Sequence, residues 1–368
     1  MTRQELLAAT GMSRTTLFER LDGLFQHGLV YPSGSSRSPD GSPGRRAEIL
    51  RWDDRGKVVL VLDLGQTRAR VCVTTVHGQI LRMQEWRQGI DTDAECYLEQ
   101  VHAMARSVLA ATGDPESLVG VGVGIPGPVN SRTGVLGRST TMPQWQQYPL
   151  WEREREVWQV DVVIDNDARA AAAGEATMAA PHDTVLTVKF ATGIGAGLVS
   201  AGHLVEGADG AAGDIGHVRS SVDGPLCTCG RHGCLASWAS GAALIRDLAG
   251  RGVRTIDDIV AGVSAEDPDV LAAVDAATER LATVLAPVVA AVNPDALLLV
   301  GTLGRLPRVV ARLDELIRED VTERAREHLV VSAGRLGADG AVAGLTRRVV
   351  DLVFAPDAID AQVARSTG

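Results

Sequence analysis

Cys227, Cys229 and Cys234 stand in a Cys-x-Cys-x4-Cys run, and His217 lies ten residues before the first of them. Three thiolates and an imidazole are the donor set of a closed tetrahedral zinc site. Gly224, Pro225, Gly230 and Gly233 allow the tight turns needed to aim three sulfurs at one ion. A disulfide is the weaker alternative, because cysteines one residue apart rarely reach its geometry. Buried free thiols rarely come with this much glycine. The spacing therefore predicts structural zinc held by His217, Cys227, Cys229 and Cys234.

The surrounding segment, D-I-G-H…C-x-C-G-x-x-G-C-L, resembles the signature of the ROK family (repressors, open reading frames and sugar kinases). The resemblance covers about residues 57–350. It implies an α/β fold of the actin-like, ribonuclease H-like sugar kinase type, with two lobes. It also implies that the metal braces a loop carrying sugar-contacting residues. Asp214 and Ala236 occupy positions where the family usually has Glu. The Asp carboxylate reaches about 1.5 Å less far, and Ala236 offers no polar group.

The same resemblance assigns further roles. Asp63, Gly65 and Thr67 fall in the first phosphate loop, and Thr192, Gly193 and Gly195 in the second. Gly301, within L-V-G-T-L-G, falls in the adenosine-side turn. Asp167 matches the catalytic base, and Asn166, Asp167, Asp214 and His217 match a sugar pocket. A kinase of this architecture needs glycine-rich hairpins for ATP phosphates with Mg2+, and a carboxylate for the sugar hydroxyl proton. Taken singly, each glycine run reads as a plain hairpin turn, and Asn166-Asp167 as a helix N-cap. Gln66 replaces a glycine of the first loop, where a side chain crowds an approaching phosphate. Arg169 and Thr141 replace residues that are usually Asn. Departures thus fall on ATP and substrate contacts while Asp167 and the four metal ligands remain. The pattern fits a sugar-sensing domain, with an ATP-dependent, glucokinase-like hexose kinase as the alternative.

Positioning these residues falls to a repeated pattern. Lys57–Asp63 and Arg68–Thr75 read as strands of a hairpin, followed by helix Asp93–Ala111 and strands Val119–Ile125 and Val160–Asp165. The pattern restarts at Thr184–Phe190, with later strands at Ala296–Gly301 and Leu329–Ser332 and helices over about 268–292, about 305–321 and from Gly340. It predicts lobes over 57–165 and 166–354, with 355–368 as a polar tail.

Ahead of the core, Thr2-Arg3-Gln4-Glu5 reads as a capping box and Ser13 as the next N-cap, with Gly11 in the turn. Leu17, Leu21 and Leu24 share one face of the second helix. Leu29–Tyr31 and Ala47–Trp52 read as strands around a polar tip. This predicts a winged helix–turn–helix over residues 1–52 and a linker over 53–56. A helical cap packed on the core is the alternative. The second helix of such a unit enters the major groove by its N-terminal end. Ser13, Arg14, Thr15, Thr16 and Arg20 are then candidate DNA contacts, with Arg45 and Arg46 on the wing. A-T-G-M-S-R-T-T-L resembles the corresponding stretch of ROK regulators, which carry another helix upstream. The expectation is a native start before Met1, or an incomplete DNA-binding unit.

The formal net charge of −10 argues against a protein coating nucleic acid with its whole surface. Residues 1–56 carry +1 and the remainder −11, so only the N-terminal block suits a polyanion. There is no apolar run of about 20 residues and no signal-peptide core, which predicts a cytoplasmic protein with reduced thiols and no membrane partner. The sequence as a whole predicts a sugar-responsive transcription regulator, read as a repressor. Its expected partners are operator DNA, a sugar or sugar-phosphate effector and a second copy, as a homodimer or dimer of dimers.

Overall fold

The computed structural model describes residues 1–36, 47–113, 117–130, 132–137, 139, 142–179 and 182–366. Arg45, Arg46 and Thr141 lie outside the described residues. The chain divides into two compact units, Met1–Lys57 with Asp351–Gly368, and Val58–Val350.

In the smaller unit, α1 (Arg3–Thr10) and α2 (Arg14–Gln26) precede the antiparallel strands β1 (Val30–Ser36) and β2 (Ala47–Trp52). The capping box forms: the Thr2 amide donates to Glu5 at 2.7 Å, and the Glu5 amide to the Thr2 hydroxyl at 3.3 Å. Gly11 closes α1 at φ 64°, a left-handed conformation that favours glycine. Ser13 caps α2 by accepting from the Thr16 amide. Leu17, Leu21 and Leu50 form the core of this unit. Leu50 and Met1 exchange two backbone hydrogen bonds, which extends the hairpin by a short third line of pairing. The segment expected as a polar tail contains a helix, Pro356–Ser366, and just before it Phe354 meets Trp52 edge-on at 4.7 Å.

The larger unit begins with a sheet of β3 (Val58–Leu64), β4 (Ala69–Thr75), β5 (Ile80–Trp86), β6 (Leu118–Ile125) and β7 (Asp161–Asn166), in the order β5-β4-β3-β6-β7. Helix α3 (Ala94–Ala110), capped by Asp93, covers it together with α4 (Leu150–Trp158). Helix α4 is absent from the elements that the sequence pattern predicts, because Arg and Glu dilute its apolar face. Helix α5 (Asp167–Met178) leads into β8 (Thr184–Phe190), β9 (Ile194–Ser200) and β10 (His203–Leu204). Next come α6 (Leu235–Ala239), α7 (Gly241–Leu248), α8 (Ile256–Ser264), α9 (Pro268–Val292), β11 (Ala296–Val300), α10 (Gly301–Gly304), α11 (Pro307–Asp320), α12 (Glu323–Arg326), β12 (Val330–Ala333) and α13 (Gly340–Val353). The second sheet is ordered β10-β9-β8-β11-β12.

Both sheets share one pairing scheme, with an antiparallel hairpin partner on one side of the leading strand and parallel strands on the other. Parallel neighbours require crossover connections, which the helices supply. The hairpin turns after β3 and β8 therefore occupy equivalent corners of two related lobes.

The last helix of the larger unit departs from chain order. Although α13 follows the second sheet, it packs on the first: Thr74 and Thr346 hydroxyls lie 2.9 Å apart, and a Cβ on Gly122 would lie 2.9 Å from Leu345. The small residues of β6 make room for it. Helices α5 and α13 cross at backbone distance, since a Cβ on Gly344 would collide with the Ala170 carbonyl and one on Gly174 with that of Gly340.

Candidate functional site

The segment after β10 turns tightly against β9. Gly213 sits at φ 97° with no room for a Cβ beside the Ala196 carbonyl, and Gly216 is equally tight against Ile194. These contacts hold Asp214 between the two glycines, with His217 directly after the second. The donor atoms of His217, Cys227, Cys229 and Cys234 all fall within 4.8 Å of one another. His217 Nδ1 lies 3.4 Å from Cys227 Sγ, and Cys229 Sγ lies 3.6 Å from Cys234 Sγ. Two sulfurs bonded to one zinc at about 2.3 Å stand about 3.8 Å apart, so the residues fit a tetrahedral ion.

The thiols share their protons unequally. Burial raises Cys229, but the N–H groups of Arg231 outweigh it and lower the thiol to about 6. Cys234 is pushed up to about 12 by burial and by its contacts with Cys229 and Cys227. Neighbouring thiols cannot all ionise until a cation lies among them. The metal loop is tied to the lobe through Trp238 of α6, over which Arg280 of α9 stacks at 4.2 Å.

Asn166 and Asp167 sit where β7 runs into α5. The Asn166 Oδ1 accepts from the amides of Ala168 and Arg169, and its Nδ2 donates to the Gly127 carbonyl at 3.1 Å. It is therefore the N-cap of α5, and the cap role uses most of its amide. Asp167 follows in the first turn, largely buried, with Lys189 Nζ 2.6 Å from its Oδ2. The sequence reading did not single out Lys189. Its signal was a lone cation in the apolar strand T-V-L-T-V-K-F.

Arg169, noted in the sequence as a departure, is buried, and Asp165 receives its Nε at 2.7 Å. Arg348 of α13 bonds the same carboxylate and also Glu206, each at 2.5 Å. Asp214 is pushed above the usual carboxylate range by burial, opposed by His217 and Arg169. Ala236 lies beside Gly216 of the D-I-G-H turn, so only a methyl group fills that place.

Asp63 is the penultimate residue of β3, and burial pushes its carboxyl up; Lys189 opposes the shift and Asp167 adds to it. Gly65 follows, its amide donating to the Arg68 carbonyl at 2.8 Å, and Thr67 is exposed in the turn. Gln66 reaches across from this hairpin, its Nε2 3.8 Å from where a Cβ on Gly193 would stand. Thr192, Gly193 and Gly195 line the β8–β9 turn, with Ala242 of α7 donating to the Thr192 carbonyl. Gly301, at φ 83°, opens α10 against Phe190 and Ala191. In the smaller unit, Ser13, Arg14, Thr15, Thr16 and Arg20 are all exposed along α2.

A family model described as the ROK family matches residues 59–349. The chain belongs to the ROK family. It is similar to the xylose repressor of Bacillus subtilis, 27% identical over 67% of this chain and 64% of that protein. It is also similar to the glucokinase of Thermotoga maritima, 33% identical over 51% of this chain and 58% of that protein. The chain thus spans less than two thirds of the length of these curated relatives. A solved ROK transcriptional regulator, a homolog of E. coli MLC protein, shares the fold at TM-score 0.80, 21% identity, 99% of this chain and 95% of that one. The ROK hexokinase of Thermus thermophilus matches at TM-score 0.65 and 28% identity over 79% and 97% of the two chains. The expected two-lobed sugar kinase fold is therefore borne out. Among the described residues, no helix is long and apolar enough to cross a membrane.

Proposed function

We propose that this ROK chain is a cytoplasmic, sugar-responsive DNA-binding regulator of transcription, acting as a repressor. The observation that carries this reading is the exposed face of Ser13, Arg14, Thr15, Thr16 and Arg20 on α2, borne on the same chain as a ROK core. The similarity to the Bacillus subtilis xylose repressor supports it. In this reading α2 enters the major groove of an operator. A symmetric dimer, or a dimer of dimers, presents two such helices to two half-sites. Arg45 and Arg46 remain proposed wing contacts.

The effector is a sugar or sugar phosphate held near Asn166, Asp167, Asp214 and His217. Zinc on His217, Cys227, Cys229 and Cys234 braces the loop that presents Asp214. An effector acts only through its differential affinity for two arrangements, typically about 1–3 kcal/mol. In the proposed division, residues 1–52 bind DNA, 53–56 link, and lobes 57–165 and 166–354 bind the ligand, with 355–368 closing the chain.

The test is fluorescence anisotropy on duplexes recovered by random-site selection. Affinity should fall with rising salt, and fall again with one sugar of a panel. Selection that recovers no duplex, or binding that ignores every sugar and sugar phosphate, refutes the reading.

The second reading is an ATP-dependent hexose kinase, favoured by the likeness to Thermotoga maritima glucokinase and the presence of Asp167. Asp63, Gly65, Thr67, Thr192, Gly193, Gly195 and Gly301 would then hold ATP with Mg2+. Gln66 beside Gly193 and Lys189 on Asp167 weigh against it. ADP release with a hexose panel, lost in Asp167→Ala, would restore the kinase.

A further inference from the structure

Lys189 occupies a costly place. It stands in β8 between β9 and β11, flanked along the chain by the buried Val188 and Phe190. Its ammonium lies 2.6 Å from Asp167, and its side chain keeps 30% of its exposure. Asp167 does not require this partner, because a carboxylate in the first turn of a helix is already stabilised by the free amides there. Nor does the ammonium exhaust itself on Asp167: it has three donors, and among the described residues only this hydrogen bond is made.

A neutral sugar can donate to the Oδ1 of Asp167, because Lys189 bonds only Oδ2, but it brings no charge to the ammonium's two remaining donors. A sugar that carries its own anion uses both groups, since its hydroxyl takes Asp167 and its anion takes Lys189. The neighbouring groups favour this arrangement. Lys189 pairs across the hairpin with Gly195, beside the Thr192–Gly195 turn. Two residues beyond Asp167, Arg169 is 1% exposed and its Nη1 has no hydrogen-bond partner. The other carboxylate that feels Lys189, Asp63, is pushed toward its neutral form by burial.

We propose that the ligand seated at Asp167 is an anionic sugar, bearing a phosphate or a carboxylate, and that Lys189 is the residue that selects it over the neutral sugar. This rests on the sugar-sensing reading above and narrows its ligand class.

The test is isothermal titration of the full chain with matched ligands: glucose, glucose 6-phosphate and gluconate; xylose and xylonate; N-acetylglucosamine and its 6-phosphate; and inorganic phosphate. In at least one set the anionic member should bind about tenfold more tightly than its neutral parent, the scale of one charge-assisted hydrogen bond. Lys189→Met should abolish that preference and leave the neutral sugar within about threefold, while Lys189→Arg, which keeps the charge, should retain it. Only the anionic member should lose affinity with rising salt. Phosphate or carboxylate is decided by which member responds.

The proposal is overturned if neutral members bind as tightly in the wild type, or if Lys189→Met preserves the preference while the protein melts as a folded chain. Inorganic phosphate binding as tightly as any sugar also overturns it. If no sugar binds in any form, the sensing reading itself falls.

Discussion

The guanidinium of Arg348 on α13 and the carboxylate of Asp165 at the end of β7 lie 2.5 Å apart, at a position where Asp165 is fully buried. The same carboxylate holds Arg169 of α5, and Arg348 continues to Glu206. Two cations and two anions alternate, so each buried charge faces its opposite. The chain of charges joins the helix carrying Asp167, the last helix of the unit and the segment leading into the metal loop.

Breaking that chain at its centre should be costly. Asp165→Asn leaves two arginines without their shared anion, a loss of about 3–5 kcal/mol for a buried pair stripped of one partner. Arg348→Met should cost less, because Asp165 keeps Arg169. Urea unfolding of the two variants measures both, and equal losses would refute the central role given to Asp165.

Metal removal gives a separate prediction. The purified chain should carry one zinc ion, and Cys229→Ser should lose it, leaving three donors for a four-coordinate site. Elemental analysis measures this directly. Stripping the ion with a chelator should lower the melting temperature, because binding to a site formed only on folding stabilises the folded state. A chain whose metal content is unchanged by Cys229→Ser does not use this cysteine as a ligand.

The α5–α13 crossing should tolerate no added atom. In Gly344→Ala the new methyl meets the Ala170 carbonyl, so the helices must part. Overpacking of this kind costs about 1–3 kcal/mol, and it should show as a lower unfolding midpoint. A control change, Gly250→Ala, where a Cβ meets nothing within 4 Å, should be neutral or slightly stabilising.

Asp63 supplies a pH dependence. Burial raises its folded-state pKa above the value of about 3.9 for an unfolded chain. An acid shifted upward contributes stability below the unfolded pKa and loses it as pH climbs through the folded one. Asp63→Asn should therefore be the more stable protein at neutral pH, with its advantage shrinking to nothing below about pH 3.9. Thermal melts of both proteins across that range test the sign, and a variant less stable at neutral pH would show that Lys189 outweighs burial.

Much of the smaller unit was readable because its signals are local. Thr2, Glu5, Gly11 and Ser13 act over one turn of chain, and each cap forms where the residue types placed it. The His/Cys cluster was readable for a related reason, since Cys227, Cys229 and Cys234 sit close enough along the chain for spacing to constrain their geometry. Strand positions followed from apolar runs such as V-V-L-V-L-D. Helix α4 and the terminal helix Pro356–Ser366 were not readable, because charged residues break their apolar periodicity.

From the sequence alone came the ROK family, the order of two hairpin-led lobes and the make-up of the His/Cys cluster, all carried by residue type and short spacing. Tertiary structure decided what no spacing records. It brought Lys189 to Asp167, Arg348 to Asp165 and α13 onto the first sheet, joining residues up to 272 positions apart. Such partners are chosen by how sheets and helices stack after collapse, when a buried charge must find whichever opposite charge the packing delivers.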